Sequence, residues 1–384
     1  MEKIDIAIIG GGVIGLACAG ALSKDSASVF LFEKNPYLGD EQSGRNSGVI
    51  HAGIYYDKMP LKRKLCVEGN RLLYEFCEKH GVPCRRTGKL IVATDEEEDR
   101  RLDFYLESAK KAGAEGIKKI TSKEVALREP NVRAYSALLS PSTGILDAAS
   151  YVDCLSKIAA KNDVEIMKKT KVTGIKAGEN LFAVEIENSN GEKETFAAET
   201  VINAAGLYSD EIAKMINPVP GFEIIPVRGE YYYFNTSKRA DIKMNGTNVY
   251  PVQKPYYING AEHLAIGIHL TPAFELNPAG EKVIGNKVLV GPTTSAVGCK
   301  DDLKTGRKGP EYFYGSVRKF FPCLKIEDLQ ADYAGIRAKL KDGEDFVIER
   351  DEKHHNAVNL IGIDSPGLTA SLAIAKFVKN LLIG

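Results

Sequence analysis

Ile4-Asp5-Ile6-Ala7-Ile8-Ile9-Gly10-Gly11-Gly12-Val13-Ile14-Gly15 is the stretch whose reading decides the fold. Its apolar first half is long enough for one buried strand, which breaks into G-x-G-x-x-G. Leu16 to Leu22 is small and apolar, suited to a helix packed tightly on a sheet, and a second apolar run, Val29-Phe30-Leu31-Phe32, ends on Glu33. Each part has a job in holding a dinucleotide. Gly10 permits the tight turn, Gly12 leaves room for the pyrophosphate, and Gly15 lets helix and strand pack closely. The unpaired N–H groups of the first helical turn, with Val13 and Ile14, face the phosphates. Glu33, 18 residues past Gly15, is placed to accept both ribose hydroxyls and would repel a 2′-phosphate, so NADP is disfavoured. NAD and FAD both remain compatible with the motif.

Composition bounds the rest. A chain of 384 residues exceeds what one core usually serves, so two domains are expected. Hydrophobic content of 44% with 27% charged residues describes an ordinary soluble protein, and 51 basic against 51 acidic residues give no reason to expect nucleic acid or an anionic membrane as partner. Seven scattered cysteines without a C-x-x-C fit small buried hydrophobes in a reducing compartment better than disulfides or zinc. Met1-Glu2-Lys3 leads straight into the first strand with no signal-type segment, and no apolar run reaches the roughly 18 residues of a transmembrane helix. The expected location is cytoplasmic, with peripheral contact at the inner membrane left open.

Beyond the turn at Pro36, the run Ser43-Gly44-Arg45-Asn46-Ser47-Gly48-Val49-Ile50-His51-Ala52-Gly53-Ile54-Tyr55-Tyr56 is too rich in Gly, Ser and Asn for a regular element and too apolar at its end for disorder. It reads as backbone laid against something flat and polar. Arg45 to Tyr56, after a dinucleotide-binding start ending in Glu33, closely resembles the FAD-dependent L-2-hydroxyglutarate dehydrogenases and oxidases, within the D-amino-acid-oxidase-like flavoprotein superfamily. The resemblance implies that Arg45, Asn46, Ser47, Gly48 and Val49 wrap the pyrophosphate and flavin. It also implies that His51 sits near the isoalloxazine, and it assigns Lys34 and Val172 to the cofactor.

Helical spacing places a helix over Leu61 to Lys79, stopped by Gly81-Val82-Pro83, with Lys62 and Lys64 on its solvated side. A strand at Lys89 to Ala93, a helix at Asp95 to Ala112 and a capping-box helix from Thr121 follow. After a helix at Ala149 to Ala160 comes a hairpin turning at Ser189-Asn190-Gly191. Val201-Ile202-Asn203-Ala204-Ala205-Gly206 is an apolar strand running into a helix. It resembles the superfamily's second motif, where backbone passes the FAD pyrophosphate and Ala204, Ala205 and Gly206 make the contact. Aromatic and β-branched strands are expected at Glu230 to Phe234, Asn248 to Val252, Leu264 to His269 and Lys287 to Gly291, with a helix at Glu311 to Phe321. Gly335-Ile336-Arg337 resembles the superfamily's Gly-x-Arg segment. Pro366, Gly367, Leu368 and Thr369 open a closing helix whose positive end would face the flavin's developing negative charge.

The implied fold is α/β: a Rossmann-type FAD-binding domain over 1–82, 145–217 and 329–384, interleaved with an α+β substrate domain over 83–144 and 218–328 on a mostly antiparallel sheet. The implied reaction oxidises a small 2-hydroxy acid, foremost L-2-hydroxyglutarate to 2-oxoglutarate, moving a hydride from C2 to flavin N5 while the hydroxyl loses a proton. Glycerol-3-phosphate dehydrogenases and amino-acid or glycine oxidases are the rivals within flavoenzymes. An NAD-dependent dehydrogenase is a rival outside them, and a flavin scaffold without turnover a third class. His51 and His269 are the candidate bases, His51 preferred for its motif. Arg337 suits the C1 carboxylate, since a guanidinium fork matches a carboxylate bidentately. For a second carboxylate the substrate face offers Arg228, Tyr256, Tyr257 and His269, with an ion pair an equal reading of Arg228. Tyr231, Tyr232 and Tyr233 cannot all face one cleft. No metal is expected, the flavin is expected to be noncovalent, and oxygen or a quinone is the expected acceptor.

Overall fold

The computed structural model describes residues 1–23, 28–219, 221–258, 261–265 and 267–383. The side chains at 254–258 and 261–265, those of Tyr256 and Tyr257 among them, lie outside the described residues. Strand β1 (Glu2–Ile9), helix α1 (Val13–Leu22) and strand β2 (Val29–Glu33) form the expected unit. β1 is parallel to β2 on one side and to Lys193–Asn203 on the other, with Ile9 level with both Phe32 and Asn203. Strand Lys193–Asn203 changes neighbour along its length: its first half runs antiparallel to Phe182–Asn188, and Val201 to Asn203 run parallel to Ala357 to Asn359. With Val164–Lys168 parallel to β2 on its far side, five parallel strands therefore end at one edge, the place where open α/β sheets bind ligands. The closing helix, Gly367–Ile383, packs on α1 and on the helix Pro60–His80. Small residues allow the crossing, since a Cβ on Gly69 would collide with the Thr369 carbonyl.

A second sheet of nine strands carries the other half of the molecule. Its pairing is antiparallel except between Asn248–Pro251 and Lys89–Ala93, which run side by side. Leu90, Val92, Val249, Leu270, Val288 and Val290 alternate onto one face and meet Phe313, Phe320 and Phe321, burying the apolar half of each strand.

Several expectations are corrected. The strand expected at Leu264 to His269 is two strands, Ala261–Ala265 and His269–Leu276. Gly267, at φ +81, lies between them and turns the chain so that His269 starts the second strand. The helix expected at Glu311 to Phe321 is Pro310–Val317, because Phe320 and Phe321 leave the helix to fill the core. Gln330–Leu340, expected with the cofactor segments, is hydrogen-bonded along Ile224–Asn235 in the second sheet. Cys299 is exposed rather than buried, and all seven thiols are free. Among the described residues, no helix is long and apolar enough to cross a membrane.

Candidate active site

The site begins at the end of β1. Gly10 has φ +110, and a Cβ there would collide with the Ala204 carbonyl, while one on Gly15 would collide with the Gly10 carbonyl. Only bare backbone lets the turn, the Asn203 strand end and α1 meet this closely. Ser43 Oγ accepts the Val13 N–H at 3.0 Å at the start of α1. Glu33, 7% exposed, accepts N–H groups from Gly11 and Asn35, both at 2.7 Å, and burial still pushes its carboxyl above the usual range. Glu33, Lys34, Val172, Ala204, Ala205 and Gly206 line a cavity open to solvent. It shares Gly12, Gln42, Ser43, Ala204 and Gly206 with a second cavity. Two cavities meeting at a helix N-terminus, one ending on a buried carboxylate, suit a long ligand with phosphates at its middle. The residues fit FAD.

In the second cavity the Arg45 to Val49 segment is clamped from several directions. A Cβ on Gly335 would collide with the Arg45 carbonyl, so that strand position must be glycine for the segment to lie on it. Tyr333 donates to the Asn46 carbonyl at 2.7 Å, Asn46 Oδ1 takes the Gly48 N–H at 2.8 Å, and the Gly48 carbonyl takes the Leu146 N–H at 2.8 Å. His51 is fixed through its peptide: its N–H donates to Thr369 Oγ1 at 3.0 Å, and its carbonyl accepts from Asn70 Nδ2 at 2.7 Å. Its Nε2 lies 3.2 Å from Ser365 Oγ. Burial, then the nearby Lys89 and His269, hold the imidazole well below its usual pKa, so it is neutral.

His269 is buried and stacked on Tyr250, the ring centroids 3.8 Å apart and the planes 11° from parallel. Its Nδ1 lies 3.1 Å from the Gly267 carbonyl, so the proton sits on Nδ1. Nε2 is left as a buried acceptor without a partner among the described residues, and burial lowers the group to about 3. Arg337 donates through Nη2 to the Thr293 carbonyl at 2.7 Å and faces the same cavity. The three expected catalytic residues, His51, His269 and Arg337, thus line one cavity, together with Pro366, Gly367 and Leu368. Gly15, Gly48 and Thr369 support that wall from behind rather than lining either cavity.

Two expectations fail here. Arg228 does not reach the cleft: it is 2% exposed, bonded through Nε to Glu230 at 3.1 Å and through Nη1 to Asp302 at 3.3 Å, and it donates to the Thr305 carbonyl at 2.6 Å. Lys62 is not solvated but buried, its Nζ 2.7 Å from Asp364, which lines the cavity. Sequence reading also missed Tyr250, Ser365 and the buried Lys89, and left open which of Tyr231 to Tyr233 faces the cleft, where Tyr231 stands. Tyr232 stacks on Phe313 at 4.4 Å on the other face, as alternation requires. Ser365 could have been found beside the expected Pro366. Lys89 and Tyr250 carry no local signal.

Comparison with known proteins agrees with this geometry. The DAO family profile, described as FAD dependent oxidoreductase, matches residues 5–381. L-2-hydroxyglutarate dehydrogenase of Caenorhabditis elegans is 34% identical, the match covering 99% of this chain and 93% of that protein; the human protein of that name is 30% identical, with 99% and 88% covered. Both are named as mitochondrial. Among solved structures, the FAD-bound L-α-glycerophosphate oxidase of Mycoplasma pneumoniae superimposes with a TM-score of 0.86 at 30% identity, covering 100% of this chain and 96% of that one. Glycine oxidase from Geobacillus kaustophilus shares the fold, with a TM-score of 0.79 at 22% identity. With a cradle that fits FAD and family agreement along almost its whole length, the chain belongs to the DAO family of FAD-dependent oxidoreductases, among the L-2-hydroxyglutarate dehydrogenases.

Proposed function

We propose that this enzyme oxidises L-2-hydroxyglutarate to 2-oxoglutarate, with His51 as the base and Arg337 as the carboxylate clamp. The observation that carries the reading is the convergence of a neutral imidazole and a guanidinium on one cavity walled by the closing helix's first turn. Bound FAD supplies the two-electron acceptor. His51 Nε2 takes the proton of the C2 hydroxyl once the substrate displaces Ser365 Oγ from that nitrogen, the residue being held through its peptide by Thr369 and Asn70. Arg337 grips the C1 carboxylate with the donors not spent on Thr293. His269, its Nδ1–H committed to the Gly267 carbonyl, presents an acceptor and positions rather than ionises. The substrate brings negative charge that raises the affinity of His51 for the proton, so the base strengthens once the site is filled.

Within this reading the division of labour follows the sheets: the β1 sheet holds the cofactor, and the nine-stranded sheet supplies His269 and Arg337. The electrons pass on to oxygen or a quinone; peroxide yield in air against quinone reduction under nitrogen separates the two. A second reading, oxidation of glycerol 3-phosphate, is favoured by the close superposition on the glycerophosphate oxidase. Anaerobic mixing of the yellow enzyme with each substrate decides. Rapid bleaching by L-2-hydroxyglutarate alone supports the first reading, and bleaching by glycerol 3-phosphate or glycine in its place overturns it.

A further inference from the structure

Lys89 opens the strand Lys89–Ala93, level with Asn248 on one side and Ser140 on the other. It is 1% exposed. Its ammonium lies 4.8 Å from the ring centroid of Tyr55 and 4.7 Å from that of Tyr250. Among the described residues no carboxylate pairs with it. Burial pulls the group down to about 7, the Cys66 thiol on the helix Pro60–His80 pulling weakly the other way. A buried cation is ordinarily matched by an anion, because desolvating it alone is costly, and two aromatic faces recover only part of that cost.

The position of this charge gives it a use. Tyr250 lines the cavity and is stacked on His269, and Lys89 acts on both His269 and His51, disfavouring a proton on either. Tyr55 follows His51 in the flavin-facing segment, Cys66 comes from the helix behind it, and Tyr250 and His269 from neighbouring strands. Burial pushes the Tyr55 and Tyr250 phenols and the Cys66 thiol up, so none of them is an anion that could neutralise the lysine. Arg337 faces the cavity directly, with Arg45 and the Lys62-paired Asp364 also in its lining, and Lys89 adds a positive centre one layer behind the histidines. In a buried site such a charge is poorly screened and acts across the intervening ring.

We propose that Lys89 is the residue that selects a dianionic dicarboxylate over a monocarboxylate: its ammonium, held by Tyr55 and Tyr250 behind the two histidines, supplies the positive charge that matches the second carboxylate. This rests on the reading of the substrate as a hydroxy dicarboxylate. Lys89 does not itself line the cavity and is a positioning residue, acting through field and through the Tyr250–His269 stack that it contacts.

The test uses the FAD-loaded enzyme and two unreactive ligands, glutarate and butyrate, with dissociation constants read from the perturbation of flavin absorbance. Wild type should prefer glutarate at least tenfold. Lys89→Met should erase most of that preference by weakening glutarate alone, with butyrate changed less than twofold and a melting temperature at or above wild type, since a bare buried charge has been removed. Lys89→Gln should reproduce the ratio if the methionine variant folds poorly. In wild type the preference should be largest below pH 7 and decline as pH rises through about 7, where the ammonium loses its proton; both variants should lack that decline. Equal weakening of both ligands, or an unchanged ratio, overturns the proposal. Wild type that L-2-hydroxyglutarate fails to bleach overturns the substrate reading instead, whatever the variants do to the glutarate-to-butyrate ratio.

Discussion

Val227 lies directly across from Arg337 in the antiparallel pair formed by Ile224–Asn235 and Gln330–Leu340, and Arg228 lies across from Ile336. Side chains alternate along a strand, so Arg337 shares the face of Val227 while Arg228 points to the opposite one. That one-residue offset separates the proposed substrate clamp from a structural ion pair. Arg337→Met should lower kcat/KM by about two orders of magnitude or more, the loss of charge-assisted hydrogen bonds worth roughly 1.5–3 kcal/mol each, with little change in melting temperature. Arg228→Met should do the reverse. It leaves Glu230, fully buried, short of its nearest cation and should cost about 3–5 kcal/mol in urea unfolding with the ligand affinity of the folded fraction kept.

His51→Asn should retain the yellow colour and lower kcat by about 10²–10⁴, the usual reach of a positioned general base. The pH profile carries the sign. Because burial depresses the His51 pKa, the imidazole is protonated only at pH values well below 6.5. The acid limb of kcat/KM should therefore fall well below the ordinary histidine range, and an acid limb centred at 6.5 would exclude His51 as a buried base. His269→Asn should have a smaller effect on kcat and a larger one on KM, measured by stopped-flow reduction over a range of substrate concentrations.

Gly10→Ala and Gly15→Ala should each give protein purified without flavin. The new methyl group meets the Ala204 carbonyl in the first case and the Gly10 carbonyl in the second, and neither backbone can retreat without opening the sheet end. The ratio of flavin to protein absorbance in the purified variants measures this directly.

Lys62 and Asp364 form a pair with side chains 7% and 14% exposed, next to the Phe346 ring and at the cavity's edge. Asp364→Asn should destabilise by about 3–5 kcal/mol because it leaves a buried ammonium without its anion. Adding Lys62→Met should recover most of that loss, so the double variant should unfold at a higher urea concentration than Asp364→Asn alone.

Much of this enzyme is legible along the chain. The strand, glycine turn, small-residue helix and terminal Glu33 are local features whose spacing follows from how a backbone must bend to hold a pyrophosphate, and they fold as read. Helix limits near Pro60–His80 and Glu96–Ala112 follow from apolar periodicity, Asp95 as a cap and glycines in the left-handed region at Gly81 and Gly113. What only the tertiary structure decided is which side of a strand a charge faces and what lies next to it. Arg228 stays open in sequence between ion pair and substrate contact until strand register turns it away from the face of Arg337. Lys89 reads as an ordinary strand residue until Asn248–Pro251 pairs alongside and brings Tyr250 against it. Lys62 reads as a solvated helix residue until the loop before the closing helix delivers Asp364. Local spacing governs backbone shape, whereas burial and charge pairing depend on segments hundreds of residues apart, whose contacts exist only once the two sheets have closed around the site.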